Sequence, residues 1–148
     1  MECKVKLKKL TKTAVIPTYG SVAAAGADLY CDCAEESITV LPGETVLIKT
    51  GIALQIPNGY VGLIYARSGA ATKRGLAPAN KVGVIDSDYR GEIMVSILNH
   101  GKTAQKIEKG ERIAQLVIAP YIKASFVEEE LDSTDRGAGG FGSTGRKD

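Results

Sequence analysis

The chain has 148 residues, 44% of them hydrophobic and 24% charged, with a formal net charge of +2. That is apolar material for one packed domain and too little chain for two ordinary ones. So small a positive excess makes no case for nucleic acid; no apolar run approaches a bilayer span, and the charged start from Met1 to Lys9 has no apolar stretch behind it, so a cytoplasmic protein touching neither nucleic acid nor membrane is expected.

In chain order, Val5 and Leu7 alternate with lysines. Cys3, Cys31 and Cys33 are odd in number and form no disulfide framework. Cys31-Asp-Cys33 has no second cysteine pair and His100 is the single histidine, so a four-ligand zinc site is not expected. Ile38 and Val40 alternate before the turn Leu41-Pro42-Gly43; Val46 and Ile48 follow, then Ile52, Leu54 and Ile56 before Pro57-Asn58-Gly59, then Val61 and Leu63. Ile93, Val95 and Ile97 precede Asn99-His100-Gly101, and the last run is Ile113 to Ile118 before Pro120. Short period-2 runs punctuated by Gly, Pro and Asn predict an all-β domain of the jelly-roll or barrel kind.

One segment breaks the pattern. In Ser68-Gly-Ala-Ala-Thr-Lys-Arg-Gly75 a capping-type serine precedes small helix formers and a glycine stands at the stop, which predicts one or two helical turns. Asn80 to Ile85 and Glu92 to Ile97 are strand-like runs joined by Asp86-Ser-Asp-Tyr-Arg-Gly91, and they read as a hairpin. After Glu130 the chain turns polar and glycine-dense, so the domain organisation expected is a β domain over 1–130 and a flexible tail over 131–148.

The tail contains Gly137-Ala-Gly-Gly-Phe-Gly142, which fits G-x-G-x-x-G, but no strand pattern leads into it and the chain stops before the helix and acidic residue of a dinucleotide fingerprint. Read as a Walker element through Ser143 and Thr144, it has serine where lysine is required and no helix to follow. What survives is local chemistry: backbone N–H groups exposed by glycine, two hydroxyls, and the Arg136 fork, a set suited to closing over a polyphosphate.

Five segments in order, Ala25-Gly-Ala-Asp-Leu29, Ala66-Arg-Ser-Gly69, Gly83-Val-Ile-Asp-Ser-Asp-Tyr-Arg-Gly91, Gly110-Glu-Arg-Ile-Ala-Gln-Leu116 and Arg136-Gly-Ala-Gly-Gly-Phe-Gly-Ser-Thr-Gly145, resemble the five motifs of the trimeric dUTPase family. The resemblance implies a homotrimeric jelly roll with active sites shared between subunits. It implies Mg2+-dependent hydrolysis of dUTP to dUMP and pyrophosphate, which keeps uracil out of DNA and supplies dUMP for thymidylate synthesis.

By the same resemblance, Asp86 is the general base that aims and deprotonates water at the α-phosphorus. Asp88 is its rival, because spacing alone does not separate two acids on one face of an extended segment. Asn80, Gly83 and the backbone near Val84, Ile85 and Met94 surround the base. Uracil offers an acceptor at C4 and a donor at N3, cytosine the reverse, so backbone groups facing that edge discriminate between them. Tyr89 packs on the sugar and rejects a 2′-hydroxyl. Arg67, Ser68, Gly69 and Gln115 bind phosphate, Arg136, Gly142, Ser143 and Thr144 hold the γ-phosphate end, and Phe141 lies over the uracil. Asp28 has two readings, a remote role at the magnesium ion or an ion pair with an arginine.

Ala66 stands where the family usually has proline and Ser87 where glutamate is common, and neither removes a group the chemistry needs. A dCTP deaminase of the same superfamily is the nearest rival, but it needs an acid where this chain has Ser96. A non-catalytic dUTP-binding regulator is a rival of a different class.

Overall fold

A computed structural model describes residues 3–141. The chain is mostly β with one short helix, in a jelly-roll-like arrangement. The alternating runs become β1 (Lys6–Lys9), β4 (Ser37–Val40), β5 (Thr45–Gln55), β6 (Tyr60–Tyr65), β9 (Glu92–Asn99) and β11 (Arg112–Pro120). Shorter strands less visible in the pattern are β2 (Thr18–Tyr19), β3 (Ala27–Tyr30), β7 (Leu76–Pro78), β8 (Gly83–Ile85) and β10 (Gln105–Glu108). They form two antiparallel sheets, ordered β1-β5-β9-β7 and β2-β3-β11-β6-β8, and a ribbon of β10 with β4.

Both sheets and the ribbon bury their apolar faces in one cluster. Ile48 and Leu54 of β5 and Ile93 and Ile97 of β9 meet Leu29 of β3 and Leu116 of β11, with Val40 and Ile107 from the ribbon. Along β9 burial alternates strictly, so its inward residues are Ile93, Val95, Ile97 and Asn99. Asn99 is a fully buried polar group, yet each of its side-chain functions is answered. Its Nδ2 donates to the carbonyls of Val40 and Thr103 at 2.9 and 2.8 Å, and its Oδ1 accepts from the Gly101 N–H at 2.9 Å. It therefore ties β9 to β4 and closes the next turn, offsetting the desolvation of an amide.

Helix α1 spans Ser68–Arg74 and stops at Gly75, whose left-handed backbone (φ 68°) closes the C-terminus. The start differs from expectation. Arg67, with extended backbone, is the N-cap, Ser68 is the first helical residue, and no side chain caps the end. The Arg67 guanidinium is already committed to Asp28, which fixes that residue outside the helix.

The expected hairpin is also corrected. β8 and β9 are neighbours in sequence but belong to different sheets. β9 pairs with β5 along one edge and with β7 along part of the other, through Pro78↔Ile97 to Leu76↔Asn99, and the Ala79 N–H still reaches the Ser96 carbonyl at 2.8 Å. The chain then turns at Lys81, which adopts positive φ (66°), and β8 runs beside β6, with Gly83↔Ile64 and Ile85↔Gly62. The two strands splay, leaving the free edge of β8 facing β9 across a slot.

Candidate active site

The slot between β8 and β9 is lined by Ile64, Asn80, Gly83 to Ile85, and Met94 to Ser96, with a volume of about 90 Å³. It adjoins a wider cleft of about 220 Å³, which shares Val84, Ile85 and Met94 and adds Leu47, Asp86, Tyr89 and Glu92. Because β8 ends its sheet, its outer backbone N–H and C=O groups have no strand partner, and unpaired strand edges bind whatever presents complementary polar groups. Seven of the residues expected around base, sugar and attacking water, Asn80, Gly83, Val84, Ile85, Asp86, Tyr89 and Met94, thus line one continuous recess. Asp88 is not among them, which separates the two acids that spacing could not.

The turn that carries Asp86 is closed by its own hydrogen bonds. The Tyr89 N–H donates to the Asp86 carbonyl at 3.2 Å, and the Arg90 guanidinium donates to the Ser87 and Tyr89 carbonyls, each at 2.8 Å. The Tyr89 hydroxyl donates to the Glu92 carbonyl at 3.0 Å, so the ring packs back on its own turn while its face walls the cleft.

A second cluster joins three segments distant in sequence. Asp28 on β3 accepts from Arg67 Nε at 2.7 Å through one oxygen and from Arg112 Nη1 at 3.2 Å through the other. Both carboxylate oxygens are therefore turned to arginines, and of its two readings the ion pair is the one the structure contains. Gln115 on β11 donates to the Ala66 carbonyl at 2.8 Å, pinning the residue before Arg67. Gly26 explains itself here, since a Cβ at that position would collide with the Gln115 side-chain oxygen. Arg67, Ser68, Gly69 and Gln115 thus gather at the start of α1, with Arg74 at its other end held by Glu111, Gln105 and the Lys106 carbonyl.

One chain does not bring the two clusters together. Asp86 follows Ile85, which pairs with Gly62 near the start of β6, whereas Arg67 lies beyond the far end of that strand. Five residues of strand at about 3.3 Å each separate them by roughly 16 Å. The tail does not bridge the gap. Residues 121–138 are exposed, Arg136 donates to the Gly139 carbonyl of its own turn at 2.9 Å, and the Phe141 ring is wholly exposed. Gly142, Ser143 and Thr144 lie outside the described residues.

Three participants escaped the sequence reading. Arg112 lay inside the fourth segment but carried no visible partner, since its carboxylate is 84 positions away. Leu47 and Glu92 line the cleft, and nothing in their local pattern distinguished them from other strand residues. Cys31 and Cys33 belong to the core, and burial pushes the Cys31 thiol up to about 12, which suits packing rather than reactivity.

Comparison with known proteins agrees with this architecture. The dUTPase family model matches residues 12–145. The deoxyuridine 5'-triphosphate nucleotidohydrolase of Nautilia profundicola is 52% identical over 144 residues, covering 97% of this chain and 99% of the relative. That of Acinetobacter baumannii is 47% identical over 151 residues, covering 99% and 100%. Among solved structures, the dUTPase of Staphylococcus bacteriophage 80alpha with dUPNHPP superposes with a TM-score of 0.86 at 34% identity, covering 97% of this chain and 99% of that one. The dUTPase of phage phi11 of S. aureus, solved with a structural Mg(II) ion, gives 0.78 at 27% identity, covering 86% and 97%. With a family match across most of its length and relatives half identical from end to end, this chain belongs to the dUTPase family.

Proposed function

We propose that the chain hydrolyses dUTP to dUMP and pyrophosphate, with Asp86 as general base, in a site completed by other copies of itself. The observation that carries this reading is the unpaired β8 edge opening directly onto Asp86 and Tyr89. A pyrimidine entering edge-on meets backbone donors and acceptors near Val84, Ile85 and Met94, with Asn80 beside them. A cytosine there leaves those groups mispaired, a penalty that reaches factors of about 10⁴. The sugar then faces Tyr89 and the α-phosphate comes toward Asp86, whose carboxylate takes a proton from the attacking water.

Arg67, Ser68, Gly69 and Gln115 of a second copy supply phosphate contacts, because in one chain they lie too far from Asp86. Arg136, Phe141, Gly142, Ser143 and Thr144 close the site from the tail, with the β domain over 1–130 and the tail over 131–148. Support for assembly comes from the surface. A groove of about 750 Å³, walled by Val5, Leu7, Ile16, Val22 and Ile118, lies open, and Ile122, Phe126, Val127 and Leu131 beyond the last strand are exposed. So much uncovered apolar surface suits a homotrimer.

Magnesium suits these donors without a protein cage. Among the described residues no three metal-ligating side chains cluster, and the Asp28 oxygens face arginines. A magnesium ion held by phosphate oxygens and water would neutralise charge on the triphosphate and leaving pyrophosphate, with Asp28 acting only through Arg67. Among the described residues no helix is long and apolar enough to cross a membrane, and the reading places the enzyme with the nucleotide pool in the cytoplasm.

The test is pyrophosphate and ammonia release from dUTP, dCTP, dTTP and UTP with magnesium. Pyrophosphate from dUTP alone is expected, and Asp86→Asn is expected to slow it by about 10²–10⁴-fold. An undiminished rate in that variant would refute Asp86 as base. Ammonia from dCTP would restore the deaminase reading, which the slot disfavours because its lining, Ser96 included, holds no carboxylate.

A further inference from the structure

We propose that Glu92 is a positioning residue for sugar selectivity, latching the Tyr89 turn to a bulge in β5; the proposal rests on Tyr89 being the wall against the sugar. The β5–β9 register jumps between Lys49↔Met94 and Ala53↔Glu92, so β5 carries two extra residues there. The surplus bulges around Thr50 and Gly51 and turns its polar groups toward β9. The Thr50 hydroxyl donates to the Ile93 carbonyl at 2.5 Å, and the Gly51 N–H donates to Glu92 Oε1 at 2.9 Å. Glu92 is thus held by its side chain on one side, while its carbonyl accepts the Tyr89 hydroxyl at 3.0 Å on the other.

The bulge is itself a rigid anchor. Gly51 has positive φ (66°), and a Cβ there would strike the Asp32 carboxylate, so the position demands glycine twice over. Its carbonyl accepts from the Leu10 N–H at 2.7 Å, and the buried Asp32 behind it accepts from the Thr11 and Thr13 hydroxyls. A connected path runs from the β1–β2 loop through Asp32, Gly51 and Glu92 to the Tyr89 hydroxyl. The ring lies against Gly91 at the other end, so its placement depends on where the Glu92 carbonyl stands. Selectivity against a 2′-hydroxyl depends on a wall that does not yield, and the latch stiffens it.

The experiment compares kcat/KM for dUTP with that for UTP in the full chain with magnesium, for wild type, Tyr89→Ala, Glu92→Ala, Glu92→Gln and Tyr89→Phe. Glu92→Ala removes the acceptor for Gly51 and is expected to lower the dUTP preference about tenfold, the scale of one lost hydrogen bond to a charged group. Glu92→Gln keeps an Oε1 acceptor and is expected to stay within about twofold of wild type, since the role needs geometry rather than charge. Tyr89→Phe retains the ring, leaves β9 untouched and removes only the hydroxyl bond; it is expected to lose preference in the same direction, and it keeps the test open if Glu92→Ala folds poorly. A drop in Tyr89→Ala with wild-type preference in Glu92→Ala or Tyr89→Phe overturns the latch while the sugar wall stands. A Glu92→Gln variant as impaired as Glu92→Ala also overturns it, because charge would then be the active property. Unchanged preference in Tyr89→Ala removes the sugar wall and the latch together.

Discussion

Replacing Asp28 with alanine strips the counter-charge from two arginines at once, and the structure sets the size of the effect. The Asp28 side chain is 11% exposed and Arg67, at 2.7 Å, is 29% exposed, so this link is a largely sheltered, charge-assisted hydrogen bond of about 1.5–3 kcal/mol. Arg112 sits at 3.2 Å and is 52% exposed, where water screens the pair, and its share is at most about 1 kcal/mol. A loss of about 2–3 kcal/mol is therefore expected, with Asp28→Asn costing less because one acceptor oxygen remains. For a domain of this size that is a fall in Tm of roughly 6–10 °C. Urea unfolding at one fixed protein concentration measures it, since mass action makes an oligomer's apparent stability depend on concentration. In a double-mutant cycle the penalties of Asp28→Ala and Arg67→Ala should overlap by about 1 kcal/mol or more. Turnover supplies a second readout, because an untethered Arg67 raises KM for dUTP before the chemistry changes. Stability within about 0.5 kcal/mol of wild type, with additive single mutants, would show that the cluster orders nothing and would refute the reasoning.

Two further outcomes are expected. Burial of Asp32 favours its neutral form, but the donated Thr11 and Thr13 hydroxyls, with Lys109 and Lys9 nearby, outweigh this and hold the carboxyl below its usual range. The stabilisation that Asp32 brings is complete above its unfolded pKa of about 3.9 and lost as pH falls through the lower folded value, so the urea midpoints of wild type and Asp32→Asn should converge in acid, and a constant gap would contradict this. Deleting everything after Asp135 removes Arg136 and Phe141 but no strand, since the last one ends at Pro120. Pyrophosphate release should vanish while far-UV circular dichroism and the urea midpoint hold, and unchanged turnover would remove the tail from the mechanism.

The strands that alternate apolar and polar residues were legible from the residues alone. In β9 the period of two named Ile93, Val95 and Ile97 as inward, because side-chain direction along a strand follows from local geometry and needs no neighbour. The end of α1 at Gly75 was legible for a similar reason, a left-handed residue being a local demand. The start was not, since Arg67 is held outside the helix by a carboxylate 39 positions away.

The amino-acid order also determined which chemical groups the chain carries, among them one acid and one tyrosine in the turn from Asp86 to Gly91. Only the tertiary structure decided where they act. Side-chain periodicity tells which face of a strand is buried, but the edge of a strand is backbone, the same for every residue type, and says nothing of its partner. β8 was therefore free to pair with β6 rather than β9, and that one choice of partner opened the slot beside Asp86.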